Sequence, residues 1–209
     1  MADLRPILIV EDIPYLRELM EVTLKYKGYP VVSARDGDEA LGMIAVEKPG
    51  LILTDILMPK LDGFAFAHKV RNDPKTEDIP IIFVSATYIS EADKAFALSL
   101  GAVRFLEKPV EAEELLLTVA EVLNQDRAEL PAPISSGDFY RGYEDRLQAK
   151  LAEKNSQIDR AKRLVDTVPD EQRPMFEALL VQTEVQRGRI ETELESIRER
   201  LKGGNHAGE

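Results

Sequence analysis

Five short apolar runs recur through the first three-fifths of this chain, each followed by a segment with helical spacing. That rhythm constrains the fold more than any other feature. The runs are Ile7 to Val10, Pro30 to Ala34, Leu51 to Thr54, Ile79 to Val84 and Val103 to Leu106. They are mostly β-branched or apolar without alternation, as in strands buried on both faces of a parallel sheet. The intervening segments open with helix-start residues: Pro14, Asp36-Gly37, Asp62-Gly63, Ser90 with Asp93 as a capping box, and Glu111, Glu113 and Glu114. Gly28 and Gly101 fall where the first and fourth helices should stop. The expected fold class is α/β, a (βα)5 doubly wound parallel sheet spanning residues 1–126.

The pattern then changes. Residues 127–138 read as a linker, because Glu129 to Gly137 carries two prolines, two serines and a glycine, a run that does not favour continuing a helix. Beyond it the spacing is helical only. One 3-4 seam runs through Leu147, Leu151, Lys154, Ile158, Ala161, Val165 and Val168, and another through Phe176, Leu180, Thr183, Arg187, Ile190, Leu194, Ile197 and Leu201. Val168-Pro169-Asp170 and Arg173-Pro174 place a turn between them. The expectation is an all-α antiparallel helical hairpin over 139–202, with two helices of about 28 residues and roughly 40 Å each, and a frayed tail at 203–209. A hairpin of this kind exposes its apolar seam unless something covers it, and the simplest cover is a second copy, giving a homodimer through 139–202. Phe139, Tyr140 and Tyr143 are candidates for core or partner contacts.

Composition removes several classes of function. With no cysteine and two distant histidines, neither a disulfide framework nor a thiolate or histidine-rich metal site can form. No apolar run reaches the roughly 18 to 20 residues that span a bilayer, and the start lacks the order of a signal peptide, so no membrane association and a cytoplasmic location are expected. The formal net charge of -11 opposes electrostatic capture of nucleic acid. Residues 1–133 hold 14 basic and 23 acidic residues against 13 and 15 in the remainder, so the acidity belongs to the α/β part. Such a surface suits cations or basic partners.

In an open parallel sheet, functional groups gather at the carboxyl ends of the strands. Here Glu11 and Asp12 end the first strand, Asp55 the third and Ser85 the fourth, while Lys108 follows the fifth. Any one of them alone would read as a cap or a solvated charge; their recurrence at four strand ends marks a site. Three carboxylates in a partly dry cleft repel one another, and a hard divalent cation relieves this. Mg2+ fits, since it accepts one or two carboxylates and keeps several waters. His68, on the third helix, reads as a surface histidine, and Asp62-Gly63 as a helix-start turn.

These residues resemble a known family. Glu11-Asp12 after Ile7-Leu8-Ile9-Val10, the string Thr54-Asp55-Ile56-Leu57-Met58-Pro59-Lys60-Leu61-Asp62-Gly63, Val84-Ser85-Ala86 and Glu107-Lys108-Pro109 are similar in order and spacing to the flavodoxin-like receiver domain of two-component response regulators. The resemblance covers residues 5 to about 126. It implies that Asp55 takes a phosphoryl group from a phosphohistidine donor on a histidine kinase or phosphotransfer protein. Glu11, Asp12, Asp55 and the backbone carbonyl of Leu57 would hold Mg2+, Lys108 and Ser85 would bind further phosphoryl oxygens, and a cis peptide would precede Pro109. It further implies a switch in which Ser85 moves toward the phosphoryl group and Phe105 turns into the vacated space. Phe105 departs from the commoner tyrosine, so its inward rotamer needs no hydrogen-bond partner. Leu57 and Thr87, two residues beyond Asp55 and Ser85, carry no group able to orient water, which predicts a fairly long-lived acyl phosphate.

For the output, no histidine stands between residues 127 and 205, so the hairpin is not expected to relay phosphate. No enzyme signature follows the linker, and no activity beyond self-phosphorylation and dephosphorylation is expected. The reading is a response regulator whose phosphorylation changes dimerisation or binding of a protein partner. The alternative is an RNA-binding output, because Gln157 to Val165, with Arg160, Lys162 and Arg163, faintly resembles the helix of the ANTAR domains that act in transcription antitermination.

Overall fold

The computed structural model describes residues 5–86, 91–124 and 134–204. The chain divides into two compact units between Ile134 and Ser135. In the first, five strands alternate with five helices: β1 (Ile7–Val10), α1 (Pro14–Tyr26), β2 (Val31–Ala34), α2 (Gly37–Val46), β3 (Leu51–Thr54), α3 (Gly63–Arg71), β4 (Ile81–Ala86), α4 (Glu91–Ser99), β5 (Arg104–Lys108) and α5 (Ala112–Asn124). All pairings are parallel, in the order β2-β1-β3-β4-β5. The doubly wound sheet expected from the apolar runs is therefore present.

Each face of the sheet is covered for a reason visible in the runs. Ile7, Ile9, Leu51, Leu53, Ile82, Val84 and Leu106 form one cluster with Met20 and Leu24 of α1 and Leu115, Val119 and Val122 of α5. The alternate residues face the other helices, where Phe64 of α3 meets Phe83 of β4 and Phe96 of α4 edge-on, at 5.6 and 5.2 Å between centroids. Asp36 and Asp62 cap α2 and α3 by accepting from the Glu39 and Ala65 amides, both at 2.9 Å. Gly28 and Gly101, both at φ 85°, follow α1 and α4 as expected.

Several expectations need correction. β4 and β5 end two residues later than the apolar runs, because Ser85 and Ala86 pair with Glu107 and Lys108; polar residues facing a cleft still extend a ladder. Lys108 is thus the last residue of β5. His68 is buried, since α3 lies between neighbouring helices and hides most of its circumference. The capping box at Ser90, the residue Thr87 and the segment 125–133 lie outside the described residues.

The second unit consists of α6 (Ser136–Thr167) and α7 (Arg173–Gly204), 32 residues each. Both exceed the expected bounds. Ser135 is a helix cap, accepting from the Asp138 amide at 3.1 Å and donating to its carboxylate at 2.7 Å, so Ser136 and Gly137 enter the helix. Pro174 sits in the first turn of α7, where its missing N–H is harmless, and the helix continues through Gly203 and Gly204. The helices are antiparallel: Tyr143 donates to Glu193 at 2.5 Å and Arg198 to Glu144 at 2.7 Å. Every residue of the two predicted seams is buried or half-buried. Phe139 and Tyr143 are buried and stacked at 5.2 Å. Because each helix supplies a seam, the two cover one another, and a second copy is not required for that purpose.

Candidate functional site

The site is built by register. β1 and β3 are adjacent at the centre of the sheet, with Val10 opposite Thr54, so the next residues on each chain, Glu11 and Asp55, leave side by side. The Asp55 amide donates to the Val10 carbonyl at 2.9 Å, and the Glu11 amide to the Ala34 carbonyl at 3.1 Å. Strand order reverses at this place, which opens a crevice at the carboxyl ends. Glu11, Asp12 and Asp55 each direct a carboxylate oxygen to one spot, all within 4.8 Å of one another.

Lys108 comes to the same place from β5. Its Nζ donates to Glu11 Oε2 at 2.6 Å and Asp55 Oδ2 at 2.7 Å, so one ammonium spans two carboxylates. The Lys108–Pro109 peptide is cis. The other oxygen of Asp55, Oδ1, accepts from the amides of Ile56 at 2.6 Å and Leu57 at 3.3 Å. Ser85, fully buried on β4, has a hydroxyl oxygen with no hydrogen-bond partner among the described residues. A buried orphan hydroxyl is uncommon in a folded protein. The Leu57 side chain is half exposed.

Electrostatics follow from this crowding. Burial raises the pKa of the Glu11 carboxyl, with Lys108 opposing. Burial, and then the charge of Asp55, raise that of Asp12. Burial lowers the pKa of Lys108, but hydrogen bonds and charges from Asp55 and Glu11 outweigh it and leave the ammonium firmly protonated. The donor set suits a hard dication: three carboxylates and no nitrogen or sulfur ligand.

Several neighbours were not singled out by sequence. A Cβ on Gly63 would lie 2.1 Å from the Asp55 carbonyl oxygen, so only glycine lets α3 begin this close to the site. Lys60, at φ 63°, donates to Asp36 at 2.6 Å, and this bond, followed by that from the Glu39 amide, holds the Asp36 carboxyl below its usual range. Arg17, one turn into α1, donates to the Glu11 carbonyl at 2.6 Å. On the other side of the sheet edge, half-buried Phe105 lies under Lys94, whose Nζ is 6.0 Å from the ring centroid and pairs with Glu107 and, at 3.1 Å, Glu91. The Asp-Gly pair signalled a helix start but not the close approach; Lys60 stood in the family-like string without a role of its own, and Arg17 and Lys94 gave no signal beyond their charge.

Residues 7–120 match the family model described as the response regulator receiver domain. The chain is similar to the probable transcriptional regulator ycf27 of Guillardia theta, 39% identical over 119 residues that make up 57% of this chain and 45% of that protein. Among solved structures it resembles a putative response regulator from Chloroflexus aurantiacus, with TM-score 0.56, 32% identity, and coverage of 59% of this chain and 100% of that one. It also resembles the Vibrio cholerae chemotaxis protein CheY4, with TM-score 0.54, 33% identity, and coverage of 57% and 98%. The chain spans about half the length of the curated relatives it matches. The family match runs from β1 into α5 and so includes every element that contributes to the acidic crevice; this chain belongs to the receiver-domain family of two-component response regulators.

Proposed function

We propose that the protein accepts a phosphoryl group on the Asp55 carboxylate from a phosphohistidine of a histidine kinase or phosphotransfer protein, and that its helical hairpin reads out the result. The observation carrying this is the convergence of three carboxylates within 4.8 Å, with Lys108 on two of them and an orphan Ser85 hydroxyl on the neighbouring strand. In the transfer, an Asp55 oxygen forms a bond to phosphorus, the phosphorus–nitrogen bond to the donor imidazole breaks, and that nitrogen keeps the electron pair and takes a proton. Asp55 is suited to this because a carboxylate can act as a nucleophile in forming a covalent intermediate. Lys108 neutralises an equatorial oxygen as a point charge, and Ser85 donates to another.

Glu11, Asp12 and Asp55, with the Leu57 carbonyl, are the residues that would hold Mg2+. When bound it supplies neutralisation of phosphoryl charge as that charge builds. Phe105 is assigned as the aromatic that follows Ser85, changing the α4–β5 surface. The protein is thus a regulator whose chemistry is confined to its own aspartate.

The hairpin is assigned as a dimerisation or protein-binding output. Its support is an exposed apolar set near the turn, Leu164, Met175, Leu179, Val181 and Val185, left after the seams are paired. The basic residues Arg160, Lys162 and Arg163 are exposed, so RNA capture is the reading to test beside it.

Incubation with a small phosphoryl donor and Mg2+ should add one phosphoryl group to the intact mass, and Asp55→Asn should abolish the gain. Labelling that persists in Asp55→Asn would overturn the assignment. If Phe105→Ala leaves phosphorylation-dependent association unchanged, Phe105 is not the switch.

A further inference from the structure

The connection from β1 to α1 is only Glu11, Asp12 and Ile13, and it carries two of the three carboxylates. It lacks the usual means of fixing a helix entry. Ile13 occupies the cap position and offers no side-chain bond, and Pro14 has no N–H to give. Two bonds replace the cap. The Ile13 amide donates to Glu11 Oε1 at 3.3 Å, and the Arg17 guanidinium reaches back to the Glu11 carbonyl oxygen at 2.6 Å.

Arg17 is out of place by the ordinary rule. It is the fourth residue of α1, near the positive end of the helix dipole, where a cation is disfavoured. α2 and α5 follow the rule, with Asp38 and Glu39, and Glu113 and Glu114, in their first turns. Its position does serve the loop. A charged donor to a backbone carbonyl is among the stronger hydrogen bonds, and this carbonyl belongs to the peptide linking Glu11 to Asp12. Fixing that peptide fixes how the two carboxylates leave the strand relative to Asp55.

We infer that Arg17 is a positioning residue for the acidic site: its bond to the Glu11 carbonyl holds Glu11 and Asp12 in the arrangement that receives a divalent cation. This rests on the reading of the site as a Mg2+ site. The two things Arg17 brings have opposite signs. Its charge repels a dication, so removing the charge alone would tighten Mg2+ binding. Its bond organises the ligands, and losing a partner that orients metal ligands weakens binding by about tenfold or more.

Calorimetric titration of the full chain with magnesium chloride separates them. Arg17→Met should bind Mg2+ about tenfold more weakly than the parent, and Arg17→Lys, which keeps a donor, should recover part of the loss. In the Mg2+-free protein, amide exchange at Asp12 and Ile13 should quicken in Arg17→Met while the interior amides of α1 stay as they were. Unchanged or tighter Mg2+ binding in Arg17→Met, or unchanged loop exchange, overturns the inference. If Arg17→Met is poorly folded, the size of the Arg17→Lys defect decides. A parent that takes up no Mg2+, or an Asp55→Asn variant that takes it up equally well, brings down the site reading instead, and the exchange rates then judge the loop anchor by themselves.

Discussion

Asp12 and Glu11 illustrate what the acidic crevice costs. Burial raises both carboxyls above their ordinary values of 3.8 and 4.5, and the charge of Asp55 adds to the effect. Each therefore keeps its proton in the folded state at a pH where the unfolded chain has lost it. The folded state binds more protons in that window, so metal-free stability falls as pH rises upward from the ordinary carboxylate range. Asp12→Asn should raise the unfolding free energy at neutral pH by about 0.5 to 1 kcal/mol, a modest figure because the side chain is half exposed. It should also flatten the pH slope and eliminate Mg2+-dependent phosphorylation. Thermal unfolding across pH checks this, and an unchanged midpoint and slope would mean Asp12 is not under electrostatic stress. Glu11, Asp12, Asp55, Ser85 and Lys108 were legible because charged and hydroxyl residues at the ends of apolar runs are chemically conspicuous. Gly63, Arg17 and Lys60 were not. Their importance lies in a 2.1 Å approach, a backbone acceptor and a carboxylate brought from another loop, none of which has a signature in local sequence.

At the scale of elements, the sheet was readable because its strands are apolar on both sides, and the hairpin because its seams repeat. Boundaries were harder. Hydrophobicity stops at Val84 and Leu106, whereas hydrogen bonding carries β4 and β5 on to Ala86 and Lys108. The linker composition places the start of α6 at Phe139, whereas Ser135 and Asp138 cap it earlier. The seams also carry a stability prediction. Ile158 and Leu194 are 2% and 3% exposed, and truncation of either to alanine should destabilise the hairpin by about 2 to 5 kcal/mol. In the full chain, this should appear as loss of helical circular dichroism at a lower temperature. Loss of less than about 1 kcal/mol would show that neither residue is a core position. Lys154, Thr183 and Arg187 interrupt the seams with polar groups. Thr183 meets its need locally by donating to the Leu179 carbonyl at 2.7 Å.

At the scale of the molecule, the chain divides into two compact units at Ser135, and the proposed phosphoacceptor lies in one while the proposed readout lies in the other. Light scattering with and without Mg2+ and beryllofluoride is the decisive measurement. A rise from monomer to dimer mass that Asp55→Asn does not show would make the hairpin a regulated association device. A dimer in every condition would make it a permanent scaffold, and a monomer in every condition would remove self-association and favour a different partner. The length of α6 has a mechanical consequence of its own. At 32 residues it is a rod of about 48 Å, stiffened along its length by α7. A change of about 5° in the direction of such a rod would sweep its far end through roughly 4 Å, about three-quarters of a helical pitch. A rod of this length turns small angular changes at one end into larger displacements at the other.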